Sequence, residues 1–188
     1  MNHTTDAAET AEGGNAPDES KSESENESES DGGMSFEDTV TLETTKDDLW
    51  AFISDPENLA RCVPGAQEVE RVSQRRYTCE IERGISRLTL SVSGEVEMVE
   101  MNEPDWILAD GNAYDSTTGS EFDLLAAMEM TETDDGTVDL GYTAELSFTG
   151  GVAGIAGLSE GLVRSVVESD VDTYFENIRA EVEPTDEE

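Results

Sequence analysis

The chain has 188 residues, with 46 Asp and Glu against ten Lys and Arg, and a formal net charge of −36 at pH 7. That length allows one domain of ordinary size plus a tail. The acid is not confined to the tail: residues 1–33 hold ten acids and one lysine, leaving 36 acids against nine bases in residues 34–188. With no basic stripe to neutralise phosphates, nucleic acid is not expected as a partner.

The whole chain carries only two lysines, Lys21 and Lys46, which is the composition of a protein from a salt-filled cytoplasm, an extreme halophile's. At molar salt the Debye length falls to about 3 Å, so neighbouring carboxylates stop repelling one another and keep the surface hydrated. A calcium site or a nucleic-acid mimic are the specific alternatives to this uniformly acidic surface. Two cysteines, no charged-then-apolar N-terminus and no apolar run near the ~18 residues that span a bilayer point to a cytoplasmic chain. An acidic surface is repelled by anionic lipid, so membrane contact is expected to be at most peripheral and transient, at the inner face of the cell membrane.

Residues 1–33, including "SKSESENESESDGG", bury too little to offset chain entropy and are expected to be disordered. The domain is expected over 34–183, with a short acidic end at 184–188. "MSFEDTVTLE" places Phe36, Val40 and Leu42 on one parity and reads as a first strand. Thr45 with Asp48 forms a capping-box-like start to a helix over about 46–54 that carries Leu49, Trp50, Phe52 and Ile53. Asp55 can cap a second short helix with Pro56 at its first position, and Pro64-Gly65 forbids its continuation.

From Ala66 to Thr149 the pattern becomes a six-stranded meander. Tyr77, Cys79 and Ile81 share a parity, as do Leu88, Leu90, Val92, Val96 and Met98, with Gly94 expected at a bulge or bend. Trp106 and Leu108 read as a short strand. Phe122, Leu124, Ala126, Met128 and Met130 line one face of the next, and Val138, Leu140, Tyr142, Ala144, Leu146 and Phe148 one face of the last. Their neighbours Asp123, Glu129, Asp139 and Glu145 give the opposite face to water. "TDDGT" at 133–137 is the clearest hairpin turn. Beyond "TGG", apolar residues from Ile155 to Val182 recur at three- and four-residue steps, predicting a helix of about 30 residues that crosses the sheet.

This order of elements resembles the helix-grip, or START-like, fold: an α+β architecture in which a curved antiparallel sheet wraps a long C-terminal helix. Within that superfamily, "LWAFISDPENLARCVPGAQEVE", "GISRLTLSVSGEVEM", "DDGTVDLGYTAEL" and "GGVAGIAGLSEGLV" resemble the G subunit of carbon monoxide dehydrogenase over residues 35–180. The resemblance implies a non-catalytic accessory protein of an aerobic-type, molybdenum-containing carbon monoxide dehydrogenase or related hydroxylase, handling a lipid or quinone. A small polyketide cyclase or hydratase using the same cavity is the alternative.

The residues themselves carry no catalytic set. The single histidine, His3, lies in the tail, the cysteines lack the clustered partners of a zinc site, and "GVAGIAG" lacks the Lys-Ser/Thr of a phosphate loop. No cofactor or metal is expected. What remains is an apolar ligand site: Leu90, Val92, Phe122, Leu124, Met128 and Tyr142 on the sheet, Ile155, Leu158 and Leu162 on the helix, and Pro64-Gly65 at the mouth. Tyr77 and Tyr142, on the inward parity, are candidates either to orient a carbonyl or hydroxyl of the ligand or to satisfy one another. Glycines 151, 154, 157 and 161 point either to close helix–sheet packing or to space for that ligand.

The acidic surface makes folding salt-dependent. Thermal melts of the full chain followed by circular dichroism are expected to show a full cooperative transition in molar potassium chloride and a weakened one in dilute buffer; full stability in dilute buffer would overturn the halophile reading.

Overall fold

The structure is a computed structural model that describes residues 32–85, 87–150 and 159–183. The N-terminal tail, the glycine-rich stretch at 151–158 and the acidic end at 184–188 lie outside the described residues, and with them Ile155 and Leu158.

Strand β1 (Gly32–Leu42) is followed by α1 (Lys46–Ile53) and α2 (Pro56–Cys62). Thr45 caps α1, its hydroxyl accepting from the Asp48 N–H at 3.2 Å and donating to the Asp48 carboxylate at 2.7 Å. Asp55 caps α2 by accepting from the Glu57 N–H at 3.0 Å, with Pro56 at the first turn. Then come β2 (Ala66–Arg71), β3 (Arg76–Ile85), β4 (Leu88–Asn102), β5 (Trp106–Asp115), β6 (Ser120–Glu132), β7 (Val138–Thr149) and α3 (Glu160–Val182). The seven described strands make one antiparallel sheet in the order β1-β7-β6-β5-β4-β3-β2, so the chain runs as a meander whose last strand is closed by the first.

One face of this sheet is apolar and grips α3; the other bears exposed Asp123, Glu129 and Glu145. The main core sits at one end of the concave face, where Leu42, Met98, Ile107 and Leu140 meet Leu49 and Ile53 of α1 and Phe175 and Ile178 of α3. A second cluster at the other end joins Met34 and Phe148 to Val163 of α3, and a third packs Tyr77 and Cys79 under Ala60 of α2.

Three expectations change. Helix α3 starts at Glu160 rather than in the 150s: Ser159 has extended backbone, and its hydroxyl accepts from the Leu162 N–H at 3.2 Å as a cap. The helix therefore has 23 residues, about 35 Å at 1.5 Å per residue. The irregularity in β4 falls between Met98 and Glu100 rather than at Gly94, which stays in regular register with Ala113. And β5 is ten residues long, not a short strand, with Ile107 rather than Trp106 or Leu108 in the core. Its inward positions beyond Ile107 are Ala109, Gly111, Ala113 and Asp115, too small or too polar to register as an apolar stripe.

Pro64-Gly65 ends α2 as expected. Gly65 has φ +82°, a Cβ there would run into the Glu82 carbonyl, and its own carbonyl accepts from the Glu82 N–H at 3.0 Å. Gly136, in the β6–β7 hairpin, has φ +81° but open space around the Cβ position. Substituting alanine at each separates the two costs. Gly136→Ala is expected to lose about 1–2 kcal/mol from left-handed backbone alone, and Gly65→Ala distinctly more, measured by urea unfolding at high salt. Equal losses would show that β3 moves aside freely.

Candidate functional site

Partners across an antiparallel ladder share a face, so the register traces the concave surface from strand to strand. One row runs Tyr77, Val96, Gly111, Leu124, Leu146, Met34. The rows on either side run Cys79, Gly94, Ala113, Phe122, Phe148 and Met98, Ala109, Ala126, Ala144, Phe36. The middle of the sheet is therefore floored by glycine and alanine. At Gly94 even a methyl is excluded, since a Cβ would approach the Ala113 Cβ to 2.9 Å.

Above this floor, α3 is fastened on two sides by different means. Towards β7, Phe175 stacks on Tyr142 with ring centroids 4.1 Å apart, and Tyr174 meets Phe175 edge-on at 5.2 Å. Towards β3, the Arg83 guanidinium donates from Nε to Asp170 at 2.9 Å and makes a second bond through Nη2, a fork that fixes orientation as well as distance. Asn177 ties α3 to α2 by donating to the Cys62 carbonyl at 2.9 Å.

The structure brings Leu90, Val92, Phe122 and Leu124 onto one concave surface. Leu90 is buried and Val92 and Leu124 are half-buried, and among the described residues these three belong to none of the apolar clusters. Phe122 leans on the second cluster, 6.3 Å from the Phe148 ring. Met128 and Tyr142 sit deeper, in and against the main core. Pro64 and Gly65 are half-buried where α2 turns into β2. Leu162, on the first turn of α3, is 36% exposed.

The thiols and phenols beneath the sheet are kept neutral. Burial pushes the Cys62 thiol up to about 11, with Glu181 adding to it, and raises Cys79 by burial alone. Burial also raises Tyr77, helped by Cys79, and lifts Tyr174 well above the usual phenol range, helped by Tyr77 and Cys62. Tyr142 is raised by burial, then by Asp38 and Asp172. No group of three or more potential metal ligands occurs among the described residues. Two open depressions of about 450 and 440 Å³ occur, one lined by Asp110, Asp123 and Glu145 together with Leu124, Leu146 and Arg164, the other between Trp50, Arg71, Arg75 and Met101.

Three features escape the reading of the sequence alone: the small-residue floor, the Arg83–Asp170 fork and Asp115. Asp115 is fully buried on the concave side of the β5–β6 turn. Its oxygens accept from the Ser91 and Thr118 N–H groups, both at 2.8 Å, and from the Thr118 hydroxyl. The "DSTTG" spacing at 115–119, a turn-forming Asp ahead of Thr and Gly, is the signal that points to it.

A curved antiparallel sheet closed over a C-terminal helix, with an apolar, low-floored interior between them, defines a START-like helix-grip domain. The sequence matches the carbon monoxide dehydrogenase G subunit (CoxG) family over residues 39–183, and the chain belongs to that family. No relative is found among curated proteins. Among solved structures, a conserved protein of Geobacillus kaustophilus is similar at 19% identity, covering 79% of this chain and 95% of that one, with a TM-score of 0.70. The Zhui aromatase/cyclase of Streptomyces sp. R1128 is similar at 16% identity, 80% and 94% coverage and a TM-score of 0.55. A START superfamily protein of Mycobacterium smegmatis is similar at 11% identity, 79% and 96% coverage and a TM-score of 0.55. Identities this low show the shared fold.

Burial opposes the charge on Asp115, but the Thr118 hydroxyl and the N–H groups of Ser91, Thr118 and Thr117 outweigh it and hold the carboxyl below its ordinary range. A folded pKa below the unfolded one stabilises fully above the unfolded value, near pH 4, and that contribution is lost as pH falls through the folded value. Asp115→Asn is therefore expected to cost about 1–3 kcal/mol at pH 7, a penalty that shrinks below about pH 4. Urea unfolding of both proteins across that range checks it; a pH-independent difference would assign the loss to shape alone.

Proposed function

We propose that the domain is a non-catalytic accessory protein that carries a hydrophobic ligand, a lipid or quinone, beneath the sheet. In this role it assists an aerobic-type molybdenum carbon monoxide dehydrogenase or a related hydroxylase. The observation that carries the ligand reading is the concave floor of Gly94, Gly111, Ala109, Ala113, Ala126 and Ala144, bordered by Leu90, Val92 and Leu124 outside the described clusters. Family membership supports the reading of the enzyme partner. We take Leu90, Val92, Phe122, Leu124, Met128 and Tyr142 as the sheet side of the site, Ile155, Leu158 and Leu162 as the helix side and Pro64-Gly65 as the mouth.

A small cyclase or hydratase in the same cavity is the weaker reading. Phenols and thiols held neutral by burial make poor general bases, and Asp115, the fully buried carboxylate, is already committed to its own turn.

Trp50, in the main core, reports on the interior. Protein purified in molar potassium chloride is expected to release an apolar molecule on solvent extraction, seen by mass spectrometry. A quinone titrated into stripped protein is expected to change tryptophan fluorescence and raise the melting temperature. If nothing apolar co-purifies and no quinone has either effect, the carrier reading falls.

A further inference from the structure

The turn between β2 and β3, residues 71–76, reads RVSQRR: three arginines and no acid, in a domain whose acids outnumber its bases 36 to nine. It lines the depression of about 440 Å³, which brings Arg71 and Arg75 together with Trp50 of α1 and Met101 of β4. Trp50 belongs to the main core and half-buried Met101 packs against it, so this side of the depression is apolar. The turn itself is held. The Arg76 carbonyl accepts from the Val72 and Ser73 N–H groups at 2.9 and 3.0 Å, and the Arg75 carbonyl from the Met98 N–H at 2.8 Å. Val72, at its tip, is 57% exposed, and Val99, next to Met98, is 40% exposed. The two arginines differ in what they are given. Arg71 pairs with Asp55 at 3.3 Å and donates from Nε to the Ser73 carbonyl at 3.1 Å. Arg75 has no carboxylate within ion-pair distance among the described residues; of the domain's other bases only Arg87, which lines neither depression, is in the same state. Glu103 is the one acid in the lining, and it pairs with neither arginine.

We propose that this depression docks an extended acidic segment of a partner protein, one in which carboxylates alternate with aliphatic or aromatic side chains. It shares no residue with the proposed ligand site, so it stands whatever the interior carries. Arg75 supplies an unclaimed fork for a carboxylate, and Arg71, held in place by Asp55, has donors to spare. Trp50 and Met101 offer apolar surface between them, and Trp, Met and Arg are the residue types that protein interfaces favour. Val72 and Val99 lie exposed outside the lining, so an occupant that covers them is longer than the depression, which suits a chain rather than a small anion. An anionic membrane or a second copy of this chain brings the rest of the acidic surface into range and is repelled. A short segment meets the basic turn alone. Glu103 disfavours a carboxylate on its own side, which biases how the segment lies.

The test titrates the full chain by calorimetry in molar potassium chloride with three end-blocked pentapeptides. These are Glu-Leu-Glu-Phe-Asp, its charge reversal Lys-Leu-Lys-Phe-Lys, and Glu-Ser-Glu-Ser-Asp, which keeps the acids and drops the apolar residues. The first is expected to bind, to change tryptophan fluorescence through Trp50, and to tighten as salt is lowered to the least that leaves the circular dichroism unchanged. The other two are expected to bind about tenfold more weakly or not at all. Arg75→Gln, which has no ion pair to break, is expected to weaken the first peptide by roughly three- to tenfold, and Glu103→Gln to tighten it by about twofold, with thermal melts showing each variant folded. If the first peptide does not bind, or if Arg75→Gln leaves its affinity unchanged, the site is overturned. Equal binding of Glu-Ser-Glu-Ser-Asp overturns the apolar half of the recognition. Flotation with phosphatidylcholine–phosphatidylglycerol vesicles, or a dimer in sedimentation, that Arg75→Gln abolishes overturns the choice of occupant in favour of a membrane or a second copy.

Discussion

A sheet can close around a helix only where its middle rows are low enough for neighbouring strands to bend towards one another. Here that condition is met by Gly94, Gly111 and four alanines on β5, β6 and β7, and the rest follows from it. Larger residues are pushed to the two ends of the concave face, where they form separate clusters against α1, α2 and α3. The helix is then held by Val163 near its start, by the Arg83–Asp170 fork at its middle and by Phe175 and Ile178 towards its end. Gly94 shows how narrow the tolerance is, because its Cβ position already touches Ala113 across the ladder.

The two faces of the sheet use electrostatics in opposite ways. Outside, carboxylates far outnumber cations and are left to water. Beneath, charge appears as the Arg83–Asp170 fork and in the hydrogen-bonded Asp115 carboxylate, while tyrosines and cysteines are kept neutral by burial. A half-buried, bidentate pair is screened far less than an exposed one, so the clasp between β3 and α3 keeps its strength under salt that mutes the surface. The acidic surface and the neutral interior are thus compatible in one chain.

The element order, the sheet's inward parity and both short-helix caps are legible in the sequence because they rest on local chemistry: Thr45 with Asp48, Asp55 with Pro56, and strict alternation in β6 and β7. The concave grouping of Leu90, Val92, Phe122 and Leu124 is legible for the same reason. The start of α3 is not, because Ile155 and Leu158 continue the helical period across a serine that caps instead. The extent of β5 is hidden by its small inward residues, which give periodicity no apolar signal. The fork between Arg83 and Asp170 and the bond from Asn177 to the Cys62 carbonyl join positions 87 and 115 residues apart, and no local pattern encodes them.

The sheet is open, with β1 and β2 at its margins. Exposed strand margins invite other chains to add to the ladder, and natural proteins often guard them with charge. Under molar salt that guard is blunted, since like charges on two approaching molecules no longer repel at a distance. Geometry has to serve instead. β2 is only six residues long and is broken by a register shift between Ala66 and Glu68, while Arg179 of α3 reaches over to donate to the Thr41 carbonyl of β1 at 3.2 Å. The short, broken β2 and the Arg179 contact over β1 thus guard the margins by shape, whatever the ionic strength.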